Sequence, residues 1–562
     1  MSSIIYCRNI IIAGVILFSA QNIFGQIKDD AEIIYGNESF KLIKPSKTVN
    51  KGFEKIKVFN LENIGIEVSI SYQSSKENKN IICRKVSIRS EVKLTENLTA
   101  RLPLMVSDIK AFSFPAKNGT LKSDNFTDNF KASYHCAGVN YDYLNNLAFP
   151  IVSFSNAANK YLVAADPYFS TDFNSNFIEW TYPKELGLTD SIETRSIYNI
   201  PYRGNFDEAI NLYYKHVLND VPPGPEWTHE IAMVNYDYMS DTAKGWYRDI
   251  DSLNTNIPKS EREKICLALH GWYDMVGRYC YNDSTNKLDS SWQSFAPGVG
   301  VLTLGDIHKR IDYAKSSGYR VVLYFADGIL SGTKVPSYAK EKVMEGSGWS
   351  GADIIGKTFR QNPAHPEVYK FYKNYATALA KEFGAEVDGF VWDETFYITA
   401  GNAGNEYFQG YVDRTFMRLV KDCSAILHKV NKNAAFLTSD VIGADSLWGI
   451  NFSKVPPYAL VSDGTFMDSN CNPDYWSYNI FSNYRNSVWS CNWYPETKFN
   501  LAEFGVKNYQ AAVPLSNGYG DDKGFSELPF TVKNNYLKLF QERTRYKTRL
   551  KYFISLPKPI SK

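Results

Sequence analysis

The chain has 562 residues, a length that fits two or three domains or one large barrel with an accessory domain. Hydrophobic residues make up 44% and charged residues 22%, which is ordinary globular usage and excludes wholesale disorder. The 62 Lys and Arg are balanced by 60 Asp and Glu, so the chain lacks the basic surplus that a non-specific nucleic-acid binder needs. We therefore expect no nucleic-acid partner.

The first 25 residues have the pattern of a signal peptide. Arg8 precedes an apolar run over residues 10–20, and polar residues follow the run. The run is shorter than the ~18 apolar residues that a permanent bilayer span needs. We therefore predict a secreted or periplasmic protein that loses residues 1–25 and has no membrane span afterwards.

The spacing of cysteines and histidines indicates no metal site. Seven of the eight cysteines lie beyond the predicted signal peptide, and no CxxC pair occurs among them. We expect most of them to be buried thiols, and we predict no metal and no other cofactor.

Residues 26–204 have the pattern of β-strands. Apolar and polar residues alternate over short runs between Asn-, Lys- and Ser-rich turns, and no useful helical period occurs. The clearest runs cover residues 56–59, 66–72, 81–89 and 149–154. We predict an antiparallel β-sandwich here, followed by a linker helix within residues 205–226.

Beyond residue 227, short apolar runs alternate with longer amphipathic segments. The runs cover residues 231–236, 265–272, 320–325, 387–392, 434–438, 458–462 and 509–515, with a candidate eighth at 550–556. The helix-like segments cover residues 304–317, 366–383, 407–430 and 526–545. This alternation predicts a parallel sheet and, by the number of runs, a (β/α)8 TIM barrel over residues 227–562. The alternative is an open doubly wound sheet.

Acidic and aromatic residues follow most of these runs. In a TIM barrel the C-terminal strand ends form the active-site face, so these residues would meet at one opening. Carboxylates there suit sugar chemistry, and Tyr or Trp rings suit stacking on a sugar. The candidates are Tyr236, Asp237, Trp272, Asp274, Asp327, Trp392, Asp393, Glu394, Asp440 and Asp463. For any single Asp, the cap of the following helix is an equally good interpretation, and Trp272 and Trp392 are equally good core residues.

Residues 388–393 read Asp-Gly-Phe-Val-Trp-Asp. This run resembles the strand-four motif of the retaining α-galactosidases, the melibiase-like clan, in which a strand of the form D-x-x-x-W-D ends in the nucleophile. Residues 269–273, Leu-His-Gly-Trp-Tyr, resemble that clan's D-D-G-W-F signature with His270 in place of the second acid. Two residues before the strand-four Asp, members of the clan usually have a lysine. This chain has Val391 at that position. A large N-terminal β-sandwich and a linking helix also match the layout of family members.

The resemblance implies a retaining double displacement with Asp393 as nucleophile and Asp463, after the sixth run, as general acid/base. The two carboxyl groups of such a pair lie ~5–5.5 Å apart, so the two residues are expected to face each other across one opening. Asp440 and Asp468 are reserve candidates for the acid/base. Glu394 competes with Asp393, but Glu394 shares strand parity with the large Trp392, which favours Asp393 as the inward residue.

The sequence thus predicts a secreted glycoside hydrolase that cleaves an α-linked sugar in an oligosaccharide, a polysaccharide or a glycoconjugate. A second hypothesis is a non-catalytic glycan-binding surface protein on a degenerate glycosidase barrel. A third is a metal-dependent hydrolase or deacetylase, which needs a His/Asp ligand cluster.

Overall fold

A computed structural model describes residues 30–116, 121–134, 147, 149–182, 193–237, 245–272, 274, 280–294, 299–327, 329–331, 344–345, 358–360, 363, 366–393, 395, 406–440, 443–445, 450–452, 457–467, 487–490, 515–517 and 524–545. These residues form two units, the first ending at Asn219 and the second beginning at Asp220. None of the helices in the described part of the chain has the length and apolar character needed to cross a membrane.

The first unit consists of antiparallel strands in two sheets and one helix. Its elements are β1 (Glu32–Tyr35), β2 (Glu38–Lys41), β3 (Lys47–Lys51), β4 (Glu54–Leu61), β5 (Ile66–Ser74), β6 (Ile82–Ser90), β7 (Leu98–Pro103), β8 (Ala111–Pro115), β9 (Leu121–Asn125), β10 (Lys131–Tyr134), β11 (Ile151–Ser155), β12 (Lys160–Ala165), β13 (Thr171–Asn174), β14 (Phe177–Tyr182), β15 (Glu193–Tyr202) and α1 (Phe206–His216), with a 3-10 helix at Glu62–Ile64. One sheet has the order β10-β13-β14-β7-β1-β2, and the other has the order β3-β4-β5-β6-β15-β12-β11-β8-β9. This arrangement is consistent with the predicted β-sandwich.

The two sheets of the first unit are in direct contact. Alternate residues of β7 are buried, as expected for a strand with one face in a core. Arg84 of β6 donates a hydrogen bond to the Pro103 carbonyl at the end of β7 (2.7 Å), and Arg195 of β15 donates to the Thr181 carbonyl in β14 (2.9 Å). Both bonds run from the nine-stranded sheet to the six-stranded sheet. Burial lowers the pKa of Arg84 to about 10.

Helix α1 corresponds to the predicted linker helix, and it belongs to the first unit. Its N-cap is Asn205, whose side chain accepts a hydrogen bond from the Glu208 N–H (3.3 Å). Tyr213 and Tyr214 of the helix pack edge-on against Phe149, next to β11, so the helix covers one of the sheets.

The second unit alternates strands with helices. Its strands are β16 (Met233–Asp237), β17 (Ile265–Leu269), β18 (Tyr281–Asn282), β19 (Lys287–Leu288), β20 (Ser291–Gln293), β21 (Val301–Thr303), β22 (Arg320–Asp327), β23 (Ile329–Ser331), β24 (Met344–Glu345), β25 (Thr358–Arg360), β26 (Gly389–Asp393), β27 (Ala435–Asp440), β28 (Gly443–Asp445), β29 (Ile450–Phe452), β30 (Gly464–Met467), β31 (Ser487–Ser490) and β32 (Leu515–Asn517). Its helices are α2 (Trp227–Glu230), α3 (Gly245–Asn256), α4 (Leu304–Ser317), α5 (Pro366–Phe383), α6 (Glu406–Val430) and α7 (Phe530–Arg545), with 3-10 helices at Lys259–Lys264, Pro457–Leu460 and Phe525–Glu527.

Eight of these strands form one parallel sheet with the order β31-β30-β27-β26-β22-β17-β16-β32. From β16 to β31 the spatial order follows the chain order, and the last strand, β32, returns to pair with the first, β16. The Cα atoms of β31 and β32, the two outer strands, also come within 8 Å of each other.

Two details of the predicted strand pattern are wrong. The run over residues 458–462 lies largely in the 3-10 helix Pro457–Leu460, and the sixth strand is β30 instead. A short apolar run has no period that separates a strand from a helical turn, and proline suits the first position of a helix. The seventh strand is β31, which we did not predict. Only Leu515 of the run 509–515 is described, in β32, and residues 550–556 lie outside the described residues.

The two ends of the parallel sheet differ in their connections. Residues 318–319 alone join α4 to β22, and residues 431–434 join α6 to β27. At the other end, strands β18 to β21 lie between β17 and α4, and strands β23 to β25 lie between β22 and α5. The elaborated connections therefore follow the C-terminal strand ends, where sheets of this kind carry their functional sites.

The described cysteines, Cys83, Cys266, Cys280 and Cys423, are buried and free, as predicted. Burial raises the pKa of the Cys83 thiol to about 11, so this cysteine is an inert core residue at neutral pH. Cys136, Cys471 and Cys491 lie outside the described residues.

Candidate active site

Asp393 is the last residue of β26, and it is only 7% exposed. Its neighbour Trp392 packs against Tyr372 of α5 and Phe416 of α6, at ring-centroid distances of 4.6 and 5.0 Å. Because successive side chains of a strand point to opposite faces, Asp393 points away from these helices. This geometry agrees with the parity argument for Asp393. Its competitor Glu394 lies outside the described residues.

Asp393 shares its side of the sheet with His270 and Tyr324. His270 directly follows β17, and its Nε2 lies 3.5 Å from Asp393 Oδ2, with both side chains buried. The Tyr324 ring, on the intervening strand β22, contacts the His270 ring edge-on at a centroid distance of 4.1 Å. Three neighbouring strands therefore bring a carboxylate, an imidazole and a phenol ring together. We did not predict His270 as a site residue, although its place directly after a predicted strand was an available signal.

Other acidic residues end neighbouring strands of the same sheet. Asp237, Asp327 and Asp440 are the last residues of β16, β22 and β27, and the Cα of Asp327 is in register with that of Asp393. The backbone thus places carboxylate-bearing residues at the C-terminal ends of four strands. The side chains of these three residues and of Tyr236 lie outside the described part of the structure, so their substrate-binding roles stay predictions.

The two tryptophans that we predicted as substrate contacts are core residues. Trp272 is fully buried and packs against Trp292 and Phe383, at centroid distances of 6.1 and 5.7 Å. Trp392 is also fully buried, beneath α5 and α6. Neither ring offers a face to a sugar, so the predicted substrate-binding role is wrong for both.

Asp274 lies in the connection after β17 and is half-buried. Its Oδ1 accepts a hydrogen bond from the N–H of Cys280 (3.1 Å), whose backbone has a positive φ of 42°. The carboxylate therefore stabilises a strained turn of this connection. Its predicted contact with substrate stays a prediction.

Asp463 does not face Asp393 across an opening. It directly precedes β30, at the N-terminal end of that strand, and is 2% exposed. Its Oδ2 accepts hydrogen bonds from the Phe436 N–H (2.7 Å) and the Ser424 hydroxyl (3.0 Å), and it lies 3.0 Å from His428 Nε2. Ser424 and His428 belong to α6, so this carboxylate lies beneath a helix at the other end of the sheet. The predicted acid/base role of Asp463 is wrong because the sixth strand begins after this residue.

The contact between Asp463 and His428 is structural. Burial alone would lower the pKa of His428, but the hydrogen bond and the charge of Asp463 outweigh burial and raise it. His428 Nε2 also lies 3.0 Å from the Ala434 carbonyl oxygen, so the pair fastens the end of α6 to the start of β27 and β30.

The sequence contains a signal for the correct alignment of the sixth strand. Residues 388–393 read Asp-Gly-Phe-Val-Trp-Asp, and residues 463–468 read Asp-Gly-Thr-Phe-Met-Asp. Asp388 directly precedes β26 in the same way that Asp463 precedes β30. The counterpart of Asp393 is therefore Asp468, which lies outside the described residues.

A buried carboxylate beside an imidazole suits attack on an electrophilic carbon or acceptance of a proton. Within the described residues, no group of three or more His, Cys, Asp or Glu side chains is arranged to hold a metal ion.

No protein-family model matches the chain, and no curated protein matches it in sequence. Solved structures do match its fold. A variant of the GH36 α-galactosidase AgaA from Geobacillus stearothermophilus, in complex with 1-deoxygalactonojirimycin, has a TM-score of 0.55 at 9% identity, covering 93% of this chain and 76% of that chain. The α-galactosidase from Lactobacillus brevis has a TM-score of 0.52 at 10% identity, covering 93% and 73%. The α-N-acetylgalactosaminidase NagBb from Bifidobacterium bifidum, in its GalNAc complex, has a TM-score of 0.50 at 8% identity, covering 92% and 88%.

At such identities the likeness shows the fold alone. It extends over more than nine tenths of this chain and therefore includes both units. The chain has the fold of the GH36 α-galactosidases, of which it is a distant structural relative.

Proposed function

We propose that the chain is a glycoside hydrolase that cleaves an α-linked sugar by a retaining double displacement. The observation that carries this proposal is the position of Asp393, a buried carboxylate on the inner side of β26 at its C-terminal end, in a fold shared with α-galactosidases. An oxygen of Asp393 attacks the anomeric carbon while the bond to the leaving oxygen breaks and a second acid protonates that oxygen. Water then attacks the same carbon, gives a proton to the second group and releases Asp393.

We propose that the parallel sheet closes into a (β/α)8 barrel. The chain-order arrangement of the strands, the return of β32 to β16 and the approach of β31 to β32 support closure. The Trp489 indole of β31 donates a hydrogen bond to the Thr228 carbonyl of α2 (3.0 Å), next to the start of the sheet. Asp249 of α3 accepts hydrogen bonds from the N–H groups of Phe525 (3.0 Å) and Ser526 (2.8 Å), which holds the late part of the chain against the early part.

We assign the general acid/base role to Asp468. It follows Met467, the last residue of β30, and it matches Asp393 in the repeated Asp-Gly-x-x-x-Asp pattern. One strand, β27, separates β26 from β30, so the two backbones are roughly 10 Å apart. Side chains directed inward from such strands can reach the ~5–5.5 Å carboxyl separation of a retaining pair.

The structural neighbours suggest the sugars to test first. AgaA variants have been solved in complex with raffinose and with stachyose, and NagBb in complex with GalNAc. We propose α-galactosides and α-N-acetylgalactosaminides as the leading substrate classes. The set of test substrates also includes other α-linked sugars, because His270 and Val391 differ from the residues of the clan motifs at these positions.

The test is turnover of aryl α-glycosides by the wild-type chain and by Asp393→Asn and Asp393→Ala. We expect activity from the wild type, release of the α-anomer first when the product is followed by proton NMR, and loss of turnover in both variants. Azide added to Asp393→Ala should restore some turnover by replacing the missing nucleophile and should yield a β-glycosyl azide. If the wild-type chain binds a glycan but shows no turnover, the proposal is wrong and the chain is a glycan-binding protein. If the variants keep the wild-type turnover, Asp393 is not the nucleophile.

We also propose that the enzyme acts outside the cytoplasm, on the basis of the apolar run over residues 10–20. Mass spectrometry of the protein recovered from its native host should find a mature N-terminus near residue 26. An intact N-terminus in a cytoplasmic fraction would contradict export.

A further inference from the structure

We propose that His270 is a positioning residue for the nucleophile. It donates a hydrogen bond from Nε2 to Oδ2 of Asp393 and thereby selects Oδ1 as the attacking oxygen. This inference rests on the proposed glycosidase function, since it assigns His270 a role in that reaction.

The position of His270 supports this role. Its Nε2 lies 3.5 Å from Asp393 Oδ2, a distance within reach of an ion pair but longer than a strong hydrogen bond. Catalytic hydrogen bonds are often long in the unliganded enzyme and shorten when substrate binds. The Tyr324 ring contacts the imidazole edge-on at 4.1 Å, and it limits the orientations that the imidazole can take.

The other described His–carboxylate contacts show what a purely structural pair looks like here. His428 Nε2 lies 3.0 Å from Asp463 Oδ2, and His308 lies 2.8 and 3.0 Å from Glu386 and Glu382. All three contacts are at full hydrogen-bond distance, and they tie helices to their surroundings. The contact between His270 and Asp393 is longer, and it is located at the C-terminal strand ends.

A fixed Oδ2 has a defined chemical consequence. As Oδ1 forms its bond to the anomeric carbon, the leaving C–O bond breaks and the leaving oxygen takes its proton from the general acid. In the second step the oxygen of a water molecule bonds to the anomeric carbon, the ester bond breaks with its electron pair returning to the carboxylate, and the proton of that water goes to the base. The Nε2–H donor holds the carboxylate in one orientation through both steps and stabilises the charge that returns in the second. A side chain free to rotate would miss the in-line geometry, and a misplacement of about 1 Å can cost on the order of 100-fold in rate.

The test compares His270→Ala, His270→Gln and the matched control His308→Gln, with kcat and KM measured on an aryl α-glycoside and folding checked by thermal unfolding. We expect kcat of His270→Ala to fall on the order of 10- to 100-fold with KM changed less than threefold. The amide N–H of glutamine can replace the lost donor, so His270→Gln should recover a substantial part of kcat. His308→Gln should keep the wild-type kcat.

The outcomes separate this inference from the proposed function. If Asp393→Asn is inactive and folded His270→Ala has the wild-type kcat, the positioning role is wrong while the glycosidase assignment stands. If kcat falls equally in His270→Ala and His270→Gln, a hydrogen-bond donor at this position does not maintain kcat, and the inference also fails. If Asp393→Asn keeps its activity, the proposed nucleophile itself is wrong. Should His270→Ala not fold, the kcat of His270→Gln relative to His270→Asn, whose shorter amide cannot reach Oδ2, decides the matter by the same criterion.

Discussion

Asp388 and Asp463 occupy equivalent positions on two strands of the parallel sheet. Each directly precedes a glycine that begins its strand, β26 or β30. The N–H of each donates to a carbonyl of the preceding strand, Asp388 to Val321 (2.7 Å) and Asp463 to Phe436 (3.0 Å). The carboxylate of each accepts the N–H of that same partner, at 2.8 Å for Asp388 and 2.7 Å for Asp463. These aspartates therefore fasten neighbouring strands at the N-terminal end of the sheet.

The first prediction follows from this equivalence. Replacement of Asp463 by alanine should lower the free energy of unfolding by about 3–5 kcal/mol, because it removes a buried carboxylate that His428, Ser424 and a backbone N–H all contact. Denaturant unfolding measures the loss. The kcat of the folded protein should stay within a few fold of wild type. If Asp463→Ala instead has the wild-type stability but no turnover, Asp463 takes part in the reaction.

Asp388→Asn is the matched control for this prediction. In the wild type, the Asp388 carboxylate binds Lys315 (2.6 Å) and Arg320 (2.9 Å). These partially exposed cations can return to solvent when the charge is removed. We expect a smaller loss than for Asp463→Ala, about 1–3 kcal/mol, again without a specific effect on kcat.

The strand ends show how far the sequence could be interpreted. Strand β26 was recognisable because its apolar run is bounded by acids on both sides, and the parity of Trp392 and Asp393 followed from the two-residue period of a strand. The sixth strand was misplaced because Tyr458 and its neighbours form an equally apolar run, which is buried as a 3-10 turn against Phe416. A run of apolar residues indicates that the segment is buried. Over four residues it does not distinguish a strand from a helical turn.

Sequence patterns alone could not predict contacts between residues that are far apart in the chain. The proximity of His270 and Asp393 depends on the order of three strands and on the exact ends of two of them. The burial of Trp272 depends on Trp292 in a connecting hairpin and on Phe383 at the end of α5. Such pairs are fixed by tertiary packing, which leaves no periodic trace in the sequence.

The second prediction concerns the proton donor. Asp468→Asn should lower kcat by about 10²–10⁴-fold on substrates with poor leaving groups, because they need protonation as the glycosidic bond breaks. Glycosyl fluorides and dinitrophenyl glycosides leave without that proton, so formation of their glycosyl–enzyme should be nearly unaffected. Pre-steady-state kinetics across a leaving-group series checks this, with Asp463→Asn as control. An equal loss on every leaving group would argue against Asp468 as the acid.

The third prediction tests the burial of Trp272. Trp272→Ala should lower the free energy of unfolding by about 3–5 kcal/mol, since it leaves a cavity between Trp292 and Phe383. At a temperature where the variant is fully folded, KM should stay within about threefold of the wild-type value. A rise in KM without loss of stability would show that the ring contacts the sugar after all.

The fourth prediction is a pH dependence of stability that originates at His308. Burial alone would lower the pKa of His308, but the hydrogen bonds to Glu386 and Glu382 and their charges outweigh burial and raise it above its ordinary value. A histidine whose pKa is higher in the folded than in the unfolded state stabilises the fold fully below the unfolded pKa of ~6.5. That stabilisation disappears as the pH rises through the folded pKa. Wild type should therefore exceed His308→Gln in unfolding midpoint most clearly near pH 6, where the glutamates are ionised and the histidine is protonated, and the gap should narrow as the pH rises and the folded histidine loses its proton. Thermal unfolding of both proteins across this range measures the gap, and a gap that widens with pH would show that the imidazole is bound in its neutral form.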